Sequence, residues 1–337
     1  MKRKYKTLIA TATIVLVGNA GVHAQPAPSF YSGKTVNIIV GFSPGGGYDQ
    51  YARLLARHMD KHTPGQPTII VQNAPGAGSL TAVKRLDTNL PTDGTAIVTF
   101  NPAKITESLT IPEKVNVNFN DVGWIGSITR DFRVCYVWHT SGDKTWEDVV
   151  KRKEVIFGAT GKGTGSYVNS AILKNVFGIN VRHILGFPGS AEQRLAIERG
   201  ELQGDCGSYS SIPDDWIRDK KVNVFVRFSP VKTPDMPDVP NITTFAKTDE
   251  DKMILQMLGA AGDLGRPYIM SKSVPGDRIT IMRAAFDATM KDSDFLSDAA
   301  KQGLPVYPET GAEAEKTIKE IYAFPKEIIG KAAKAMD

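Results

Sequence analysis

Apolar and polar positions follow a recurring plan along the chain, in which a buried strand leads through a glycine-rich loop into an amphipathic helix. The clearest example begins at residues 36–40, a nearly unbroken apolar run that is typical of a parallel strand buried on both faces. Residues 41–47 follow with little side-chain bulk, and residues 52–59 carry apolar side chains at helical spacing. This helix is expected to end at Pro64.

A strand that runs through a glycine loop into a helix makes an anion site from backbone alone. The free N–H groups of the first helical turn point outward, and the helix N-terminus carries about half a positive charge. Glycine also lets an anion approach the backbone closely. The sequence therefore predicts an anion-binding loop at residues 41–47.

The same unit recurs in both halves of the chain. A strand at residues 68–72 leads into a second glycine loop at 73–79, and a third strand is predicted at 95–100. In the other half, a strand at residues 154–157 leads through a loop at 158–166 into another helix. Alternating strands and helices predict an α/β fold with parallel strands and right-handed crossovers.

Two stretches are interpreted as crossings between the halves. Residues 119–138 are rich in strand-forming side chains and lead into the second half, and residues 222–228 lead back. Between them, Thr145 and Asp148 have the spacing of a helix N-cap with reciprocal hydrogen bonds. A last helix is predicted at residues 312–323.

The first 24 residues have the features of a secretory signal peptide. Four basic residues precede an apolar run at residues 8–17, and Val22-His-Ala24 before Gln25 fits a small-residue cleavage site. The apolar run is too short to span a membrane. We therefore expect export with cleavage after Ala24, in preference to a cytosolic helix or a membrane anchor.

The charge of the mature chain is close to neutral. Four of the 41 Lys and Arg residues and none of the 36 Asp and Glu residues lie in the leader, which leaves a formal charge of +1. That value gives no argument for nucleic acid binding. The remaining residues, about 313, suggest two domains.

Cys135 and Cys206 are the two cysteines of the chain. In an exported protein, a pair of cysteines favours one disulfide bond, and two buried thiols are the alternative.

Several motifs, taken in order, resemble the Bug family, the periplasmic substrate-binding proteins of tripartite tricarboxylate transporters. The resemblance covers nearly the whole mature chain. Its motifs are Val40-Gly-Phe-Ser-Pro-Gly-Gly-Gly-Tyr-Asp49, Ala52-Arg53, Gln72-Asn-Ala-Pro-Gly-Ala-Gly78, Pro91-Thr-Asp-Gly94, Gly161-Lys-Gly-Thr164, Gly200-Glu-Leu-Gln-Gly-Asp205 and Pro237-Asp-Val-Pro240.

The resemblance implies a periplasmic-binding-protein-like fold of type II, in which two doubly wound α/β domains are joined by crossing strands around a ligand cleft. The first domain would be discontinuous, formed by residues 25–125 and 229–337, and the second would be residues 126–228. The implied function is non-enzymatic capture of a small organic carboxylate for a two-subunit integral membrane transporter. A monomer without cofactor, metal or nucleic acid is expected.

The resemblance also implies a set of ligand-binding residues. Members of the family hold a carboxylate with backbone groups of the first two loops, and the second domain contacts the rest of the ligand. Tyr48 departs from the family, where a smaller residue is common. The predicted set is Phe42, Ser43, Gly46, Tyr48, Asp49, Ala77, Gly78, Ser79, Asn101, Thr160, Gly163, Thr164, Ser166, Gly189 and Asp205.

Two enzyme classes are weighed as alternatives. Residues 41–45 match G-x-S-x-G, the nucleophile motif of esterases. The residue after Ser43 is Pro44, however, which lacks the backbone N–H that an oxyanion hole needs, and no histidine partner is apparent. Residues 158–165 are glycine-spaced as in a dinucleotide site, but the spacing is not G-x-G-x-x-G.

Other readings assign structural roles to the same residues. The glycines could serve only tight turns. His58 and His62 lie four residues apart without an accompanying Glu, so solvated histidines are expected instead of a metal site. Trp124, near the first crossing, is a candidate for a wall of the ligand site, with a place in the core as the alternative.

Overall fold

The structure is a computed structural model that describes residues 30–130, 132–228, 236 and 238–336. The predicted signal peptide and its cleavage site lie outside the described residues. Within the described residues, no helix has the length and apolar character needed to cross a bilayer.

Strands occur throughout the described chain, and the longest of them have six residues. Their bounds are β1 (Thr35–Val40), β2 (Thr68–Asn73), β3 (Ala96–Thr99), β4 (Gly123–Ser127), β5 (Val134–Trp138), β6 (Val155–Ala159), β7 (Val181–Leu185), β8 (Gly204–Asp205), β9 (Val222–Arg227), β10 (Pro267–Met270) and β11 (Glu309–Thr310).

Helices alternate with the strands, and the longest of them, with 14 residues, lies in the C-terminal part of the chain. The α-helices are α1 (Gly47–His58), α2 (Leu80–Lys84), α3 (Ala103–Thr110), α4 (Pro112–Val115), α5 (Trp146–Lys151), α6 (Gly165–Asn175), α7 (Ser190–Glu198), α8 (Asp214–Arg218), α9 (Asp249–Gly259), α10 (Gly276–Thr289), α11 (Ser293–Lys301), α12 (Gly311–Tyr322) and α13 (Lys326–Ala335). Short 3-10 turns cover Asp60–His62, Ala77–Ser79, Arg85–Asp87, His139–Ser141, Tyr209–Ser211, Ile242–Phe245 and Ala260–Asp263.

The strands form two separate sheets, one for each half of the molecule. The first has the order β11-β4-β10-β3-β1-β2 and the second the order β7-β6-β8-β5-β9. As expected, β1 pairs in parallel with β2 and β3, and β6 pairs in parallel with β7 and β8. The expectation of parallel strands fails for β10, which is antiparallel to both β3 and β4, and for β5, which is antiparallel to β8 and β9.

Both sheets are covered on both faces, as in a doubly wound fold. In β1, Ile38 packs into one core and Ile39 into another, because successive strand residues point to opposite faces. In β5, Cys135 and Tyr136 likewise pack into two different cores on opposite faces of the second sheet. The α/β fold class predicted from the alternating pattern is therefore confirmed.

The chain crosses between the sheets after β4 and again after β9. The expected domain boundary at residues 125 and 126 falls inside β4, which pairs with β10 in the first sheet. The C-terminal segment also returns to the second half. Met336 lies in the same core cluster as Cys135, and the side-chain amide of Asn175 donates to the Ala335 carbonyl at 3.0 Å.

Several local predictions can be compared directly with the structure. Thr145 and Asp148 form the reciprocal cap at the start of α5. The helix predicted at 312–323 is α12, but it is not the last one, because Pro325 ends it and is also the N-cap residue of α13. The disulfide prediction is confirmed, since Cys135 and Cys206 are bonded and both are fully buried.

Candidate functional site

The first glycine loop is held in shape by the carboxylate of Asp49 in the first turn of α1. That carboxylate accepts hydrogen bonds from the Gly45 N–H at 2.9 Å, the Asn73 side-chain amide at 2.9 Å and the Arg53 guanidinium at 3.0 Å. Burial alone would raise the pKa of Asp49, but these hydrogen bonds outweigh it and hold the pKa below its usual range. Asp49 therefore fixes the shape of the loop and does not line the cavity described below.

The second glycine loop has an unusual backbone. Ala77, Gly78 and Ser79 have φ values of 47°, 60° and 77°, so three successive residues are left-handed. This conformation is costly for a residue with a side chain and persists only where the surroundings enforce it. The surroundings do so here, because Ser79 is fully buried and its hydroxyl accepts from the Asn101 N–H at 3.0 Å.

Both loops make direct contact with the second half of the molecule. The Ser43 N–H donates to the Pro188 carbonyl at 3.3 Å, and its hydroxyl donates to Glu192 at 2.9 Å. A Cβ atom placed on Gly189 would overlap the Ser43 hydroxyl, and one placed on Gly78 would overlap the Thr164 methyl group. The two halves thus meet at glycines on both sides of the interface.

The start of α6 supplies the second half's counterpart to these loops. Thr164 is the N-cap residue, and its hydroxyl donates to the Gly161 carbonyl at 2.8 Å. Gly163 has a φ of 73° and fits against the Glu107 carboxylate, which forms a buried ion pair with Lys104. The Lys104 ammonium also donates to the Lys162 carbonyl at 3.4 Å.

A small cavity lies between the halves beside these contacts, and we call it the cleft cavity. Its volume is about 60 Å³. Its lining consists of Phe42, Gly46, Gly47, Tyr48, Asn101, Arg133, Thr160, Ser166, Ser190, Gln193, Asp205, Gly207, Ser208 and Ser211.

The cleft cavity brings together about half of the sequence-predicted site residues. Phe42, Gly46, Tyr48, Asn101, Thr160, Ser166 and Asp205 line it. The others lie in the contacts around it and do not line it, namely Ser43, Asp49, Ala77, Gly78, Ser79, Gly163, Thr164 and Gly189.

Several residues that the second half contributes to the cleft cavity are not among the predicted site residues. Arg133, Gln193, Ser208 and Ser211 line the cavity, yet they lie outside the glycine motifs that directed the prediction. Gln193 is particularly informative, because its side-chain nitrogen is buried and has no hydrogen-bond partner within the described residues. Its place near the start of α7, after the loop that contains Gly189, was the available signal.

Asp205 is the acidic group of the cavity wall. Burial raises its pKa to about 6, and the Cys206 N–H, Arg133 and Arg194 oppose that rise. The Cys206 N–H donates to the carboxylate at 2.7 Å. At neutral pH this carboxyl is close to its titration range, so the charge of the cavity depends on pH.

Arg266 orients hydroxyl groups of the cavity from its buried position at the first sheet. Its guanidinium lies 4.5 Å from the centre of the Tyr48 ring and donates to the hydroxyls of Ser208 at 3.1 Å and Ser211 at 3.2 Å. A guanidinium can only donate. The Ser211 oxygen therefore accepts this bond, and its proton is available to an acceptor in the cavity.

Comparison with known proteins identifies the family. Residues 51–333 match the family described as tripartite tricarboxylate transporter family receptor, TctC. The chain belongs to the TctC family. A UPF0065 protein of Bordetella pertussis is 25% identical over 206 residues, which cover 59% of this chain and 61% of that protein. The alignment thus spans less than two thirds of that relative.

Solved structures have the same fold as this TctC-family chain. The periplasmic binding protein BugD superposes with a TM-score of 0.72 at 18% identity, covering 90% of this chain and 98% of that one. MatC from Rhodopseudomonas palustris with bound malate superposes with a TM-score of 0.70 at 18% identity, covering 88% of this chain and 99% of that one. These likenesses show the fold alone.

Other candidate residues of the TctC-family chain have structural roles. Trp124 is not a ligand wall, because it is fully buried in the first half's core and its indole N–H donates to the Phe119 carbonyl at 2.8 Å. His58 and His62 are not simply solvated, since they lie 3.0 Å from Asp298 and 2.6 Å from Asp292. Within the described residues, no group of three or more His, Cys, Asp or Glu side chains could hold a metal ion.

Proposed function

We propose that this TctC-family chain is a periplasmic solute-binding protein that captures a small organic carboxylate between its two halves. The observation that carries the proposal is that residues of the cavity wall have hydrogen-bond donors to spare. Gln193 and Ser211 both line the cavity. The Gln193 amide nitrogen has no hydrogen-bond partner within the described residues, and the Ser211 hydroxyl accepts from Arg266, which leaves its proton to donate. A carboxylate offers about four lone-pair sites to such donors.

The loop geometry supports the same chemistry. The first loop leads directly into the N-terminus of α1, and Gly46 and Gly47 line the cavity there. Anions are favoured at this position by the free N–H groups and by the helix dipole. The presence of malate in the structurally similar MatC agrees with a carboxylate as the class of ligand.

The domain organisation is part of the proposal. We assign one domain to each sheet, with the cleft cavity between them, and we keep residues 25–125 with 229–337 and residues 126–228 as their approximate extents. The crossings after β4 and β9 support this division, and α13 bridges the two units. Closure of the halves over a ligand would use the contacts at Gly78 and Gly189.

Delivery to a membrane transporter is the corresponding biological role. We propose that the chain is exported, cleaved after Ala24, and active as a monomer that passes its ligand to two integral membrane subunits. The family's name supports the transporter connection. Mass spectrometry of the periplasmic fraction should find a mature protein that begins at Gln25, and a retained leader would contradict this step.

Titration calorimetry with malate, adipate and aromatic carboxylates tests the binding proposal. We expect at least one carboxylate to bind, and Gln193→Glu should abolish that binding because it replaces a donor with a negative charge of the same shape. Gln66→Glu is the matched control, since it makes the same change at an exposed position. Binding of neutral solutes or metal ions alone would overturn the proposal.

Enzyme activity is the second candidate, and the geometry around Ser43 argues against it. The Ser43 hydroxyl donates to the Glu192 carboxylate at 2.9 Å, so its oxygen is not activated by a histidine base. We expect no ester hydrolysis and no hydride transfer from the purified protein. Turnover that disappears in Ser43→Ala would favour the enzyme instead.

A further inference from the structure

A second cavity, much larger than the cleft cavity, lies between the two halves. Its volume is about 520 Å³, against about 60 Å³ for the cleft cavity. On this measure about 10–15 Å³ is enough to hold one water molecule, and small-molecule sites typically measure about 300–1,000 Å³. The cleft cavity thus has room for a small carboxylate, whereas the second cavity has room for a larger organic molecule with an apolar body.

Apolar side chains form much of the wall of the second cavity. Leu255 and Leu258 come from α9, Val168 comes from α6, and Phe228 comes from the return crossing. An apolar body placed against these side chains would be removed from water, which stabilises a complex in proportion to the apolar area buried.

Hydrogen-bond donors are gathered on the α6 side of the same cavity. Asn169 is only 7% exposed, and its side-chain nitrogen is buried without a hydrogen-bond partner within the described residues. The first turn of α6 lines the cavity at Gly165, where the free N–H groups favour an anion. The Arg133 guanidinium packs against Gly165 and lines both cavities.

The charge of the wall matches these donors. Arg130, Arg133 and Lys252 line the second cavity, and none of its described lining residues is acidic. A buried amide nitrogen, a helix N-terminus and a guanidinium therefore belong to the wall of a cavity that also has apolar side chains in its lining.

We propose that the second cavity is a separate binding site for an amphipathic organic anion, with a carboxylate at Asn169 and an apolar body of about one aromatic ring against α9. The site goes beyond the proposed function, which concerns the cleft cavity. The two sites are neighbours, because Asn101 and Arg133 line both cavities.

The test uses 4-fluorophenylacetate as the probe, with binding followed by fluorine NMR and calorimetry on the full mature chain. Asn169→Leu removes the donor at nearly constant volume, and Ala261→Phe fills the cavity from a buried position on its wall. Because a hydrogen bond to a charged group is lost, we expect Asn169→Leu to weaken probe binding about tenfold or more. Ala261→Phe should abolish probe binding.

Gln193→Met is the complementary variant, because it removes a hydrogen-bond donor from the cleft cavity and changes no residue that lines the second cavity. We expect it to leave probe binding within about twofold, and a small carboxylate that binds the cleft should be unaffected by Asn169→Leu. The second site would be overturned if the unmodified chain did not bind the probe. It would also be overturned if Gln193→Met abolished probe binding while Asn169→Leu and Ala261→Phe both kept it. The proposed function of the cleft cavity is tested separately, because it fails if the unmodified chain binds no small carboxylate.

Discussion

Gly78 approaches Thr164 so closely that a Cβ atom at Gly78 would overlap the Thr164 methyl group. These residues belong to different halves, since Gly78 lies in the second glycine loop and Thr164 caps α6. The close approach of the halves therefore depends on the absence of one side chain.

Gly78→Val should weaken ligand binding strongly, because the added side chain keeps the halves apart. Gly78→Ala should have the same effect in milder form, with about 1–2 kcal/mol of added strain from its φ of 60°. Thr164→Ser removes the methyl group and keeps the hydroxyl cap, so it should restore part of the affinity lost in Gly78→Ala. Calorimetry on the single and double variants measures this, and equal affinity of all of them would refute the steric explanation.

The affinity for a carboxylate should depend on pH through Asp205. The pKa of Asp205 is raised to about 6 by burial, against the opposing effects of the Cys206 N–H, Arg133 and Arg194. Protonation below that pH removes a negative charge from the cavity wall, so we expect binding to strengthen about three- to tenfold between pH 7.5 and 5.5. Asp205→Asn should flatten the profile, after correction for the ligand's own titration. A profile that keeps its slope in this variant would contradict the assignment.

The same raised pKa predicts the direction of a stability effect. Between about pH 4 and pH 6 the folded state holds a proton on Asp205 that the unfolded state has released, so stability falls as pH rises through this window. The penalty at neutral pH is on the order of 2–3 kcal/mol. Urea denaturation of Asp205→Asn should therefore give a smaller difference between pH 4.5 and pH 7 than the unmodified protein gives.

Substitutions in the buried ion pair of Lys104 and Glu107 should have strongly non-additive effects on the free energy of unfolding. The side chains are 1% and 8% exposed, and burial lowers the pKa of Lys104 while Glu107 opposes that shift. Lys104→Met or Glu107→Gln alone should lower the free energy of unfolding by about 3–5 kcal/mol, because each leaves a buried group without its partner. Lys104→Met combined with Glu107→Met should recover most of the loss. Additive losses in denaturant titrations would show that the pair does not act as a unit.

The disulfide bond should contribute substantially to stability. It joins residues 71 positions apart, and a loop of that length corresponds to about 4 kcal/mol in the chain-entropy account. Cys135→Ala with Cys206→Ala should lower the unfolding free energy by a comparable amount. Intact mass after alkylation without reductant verifies the bond. A loss of unfolding free energy of less than about 1 kcal/mol would mean that the unfolded chain is already restricted without the disulfide.

Local signals in the sequence were sufficient for much of the fold. The apolar run at β1, the glycine loop after it and the cap at Thr145 each depend on neighbours within a few residues, so their structure follows from short-range chemistry. The antiparallel strand β10 was not predicted, because its four residues are too short for a periodic pattern and its place depends on β3 and β4.

The site was predicted less completely than the fold for a related reason. The glycine loops were recognisable, and the structure places both at the contact between the halves. Arg266 and Ser211 belong to distant parts of the chain and meet only in the folded molecule. When a residue's role depends on a contact between distant segments, the sequence around that residue does not reveal the role.

The position of β10 between β3 and β4 has a consequence for biogenesis. Among the described residues, 134–227 supply every strand of the second sheet, so that sheet can pair while later parts of the polypeptide are still being synthesised or translocated, although Met336 completes its core only at the end. The first sheet must wait until residues 267–270 emerge, and until then β3 and β4 have open edges. We expect the first sheet of the nascent protein to stay incomplete until nearly the whole chain is available, which would keep the chain unfolded during the proposed export.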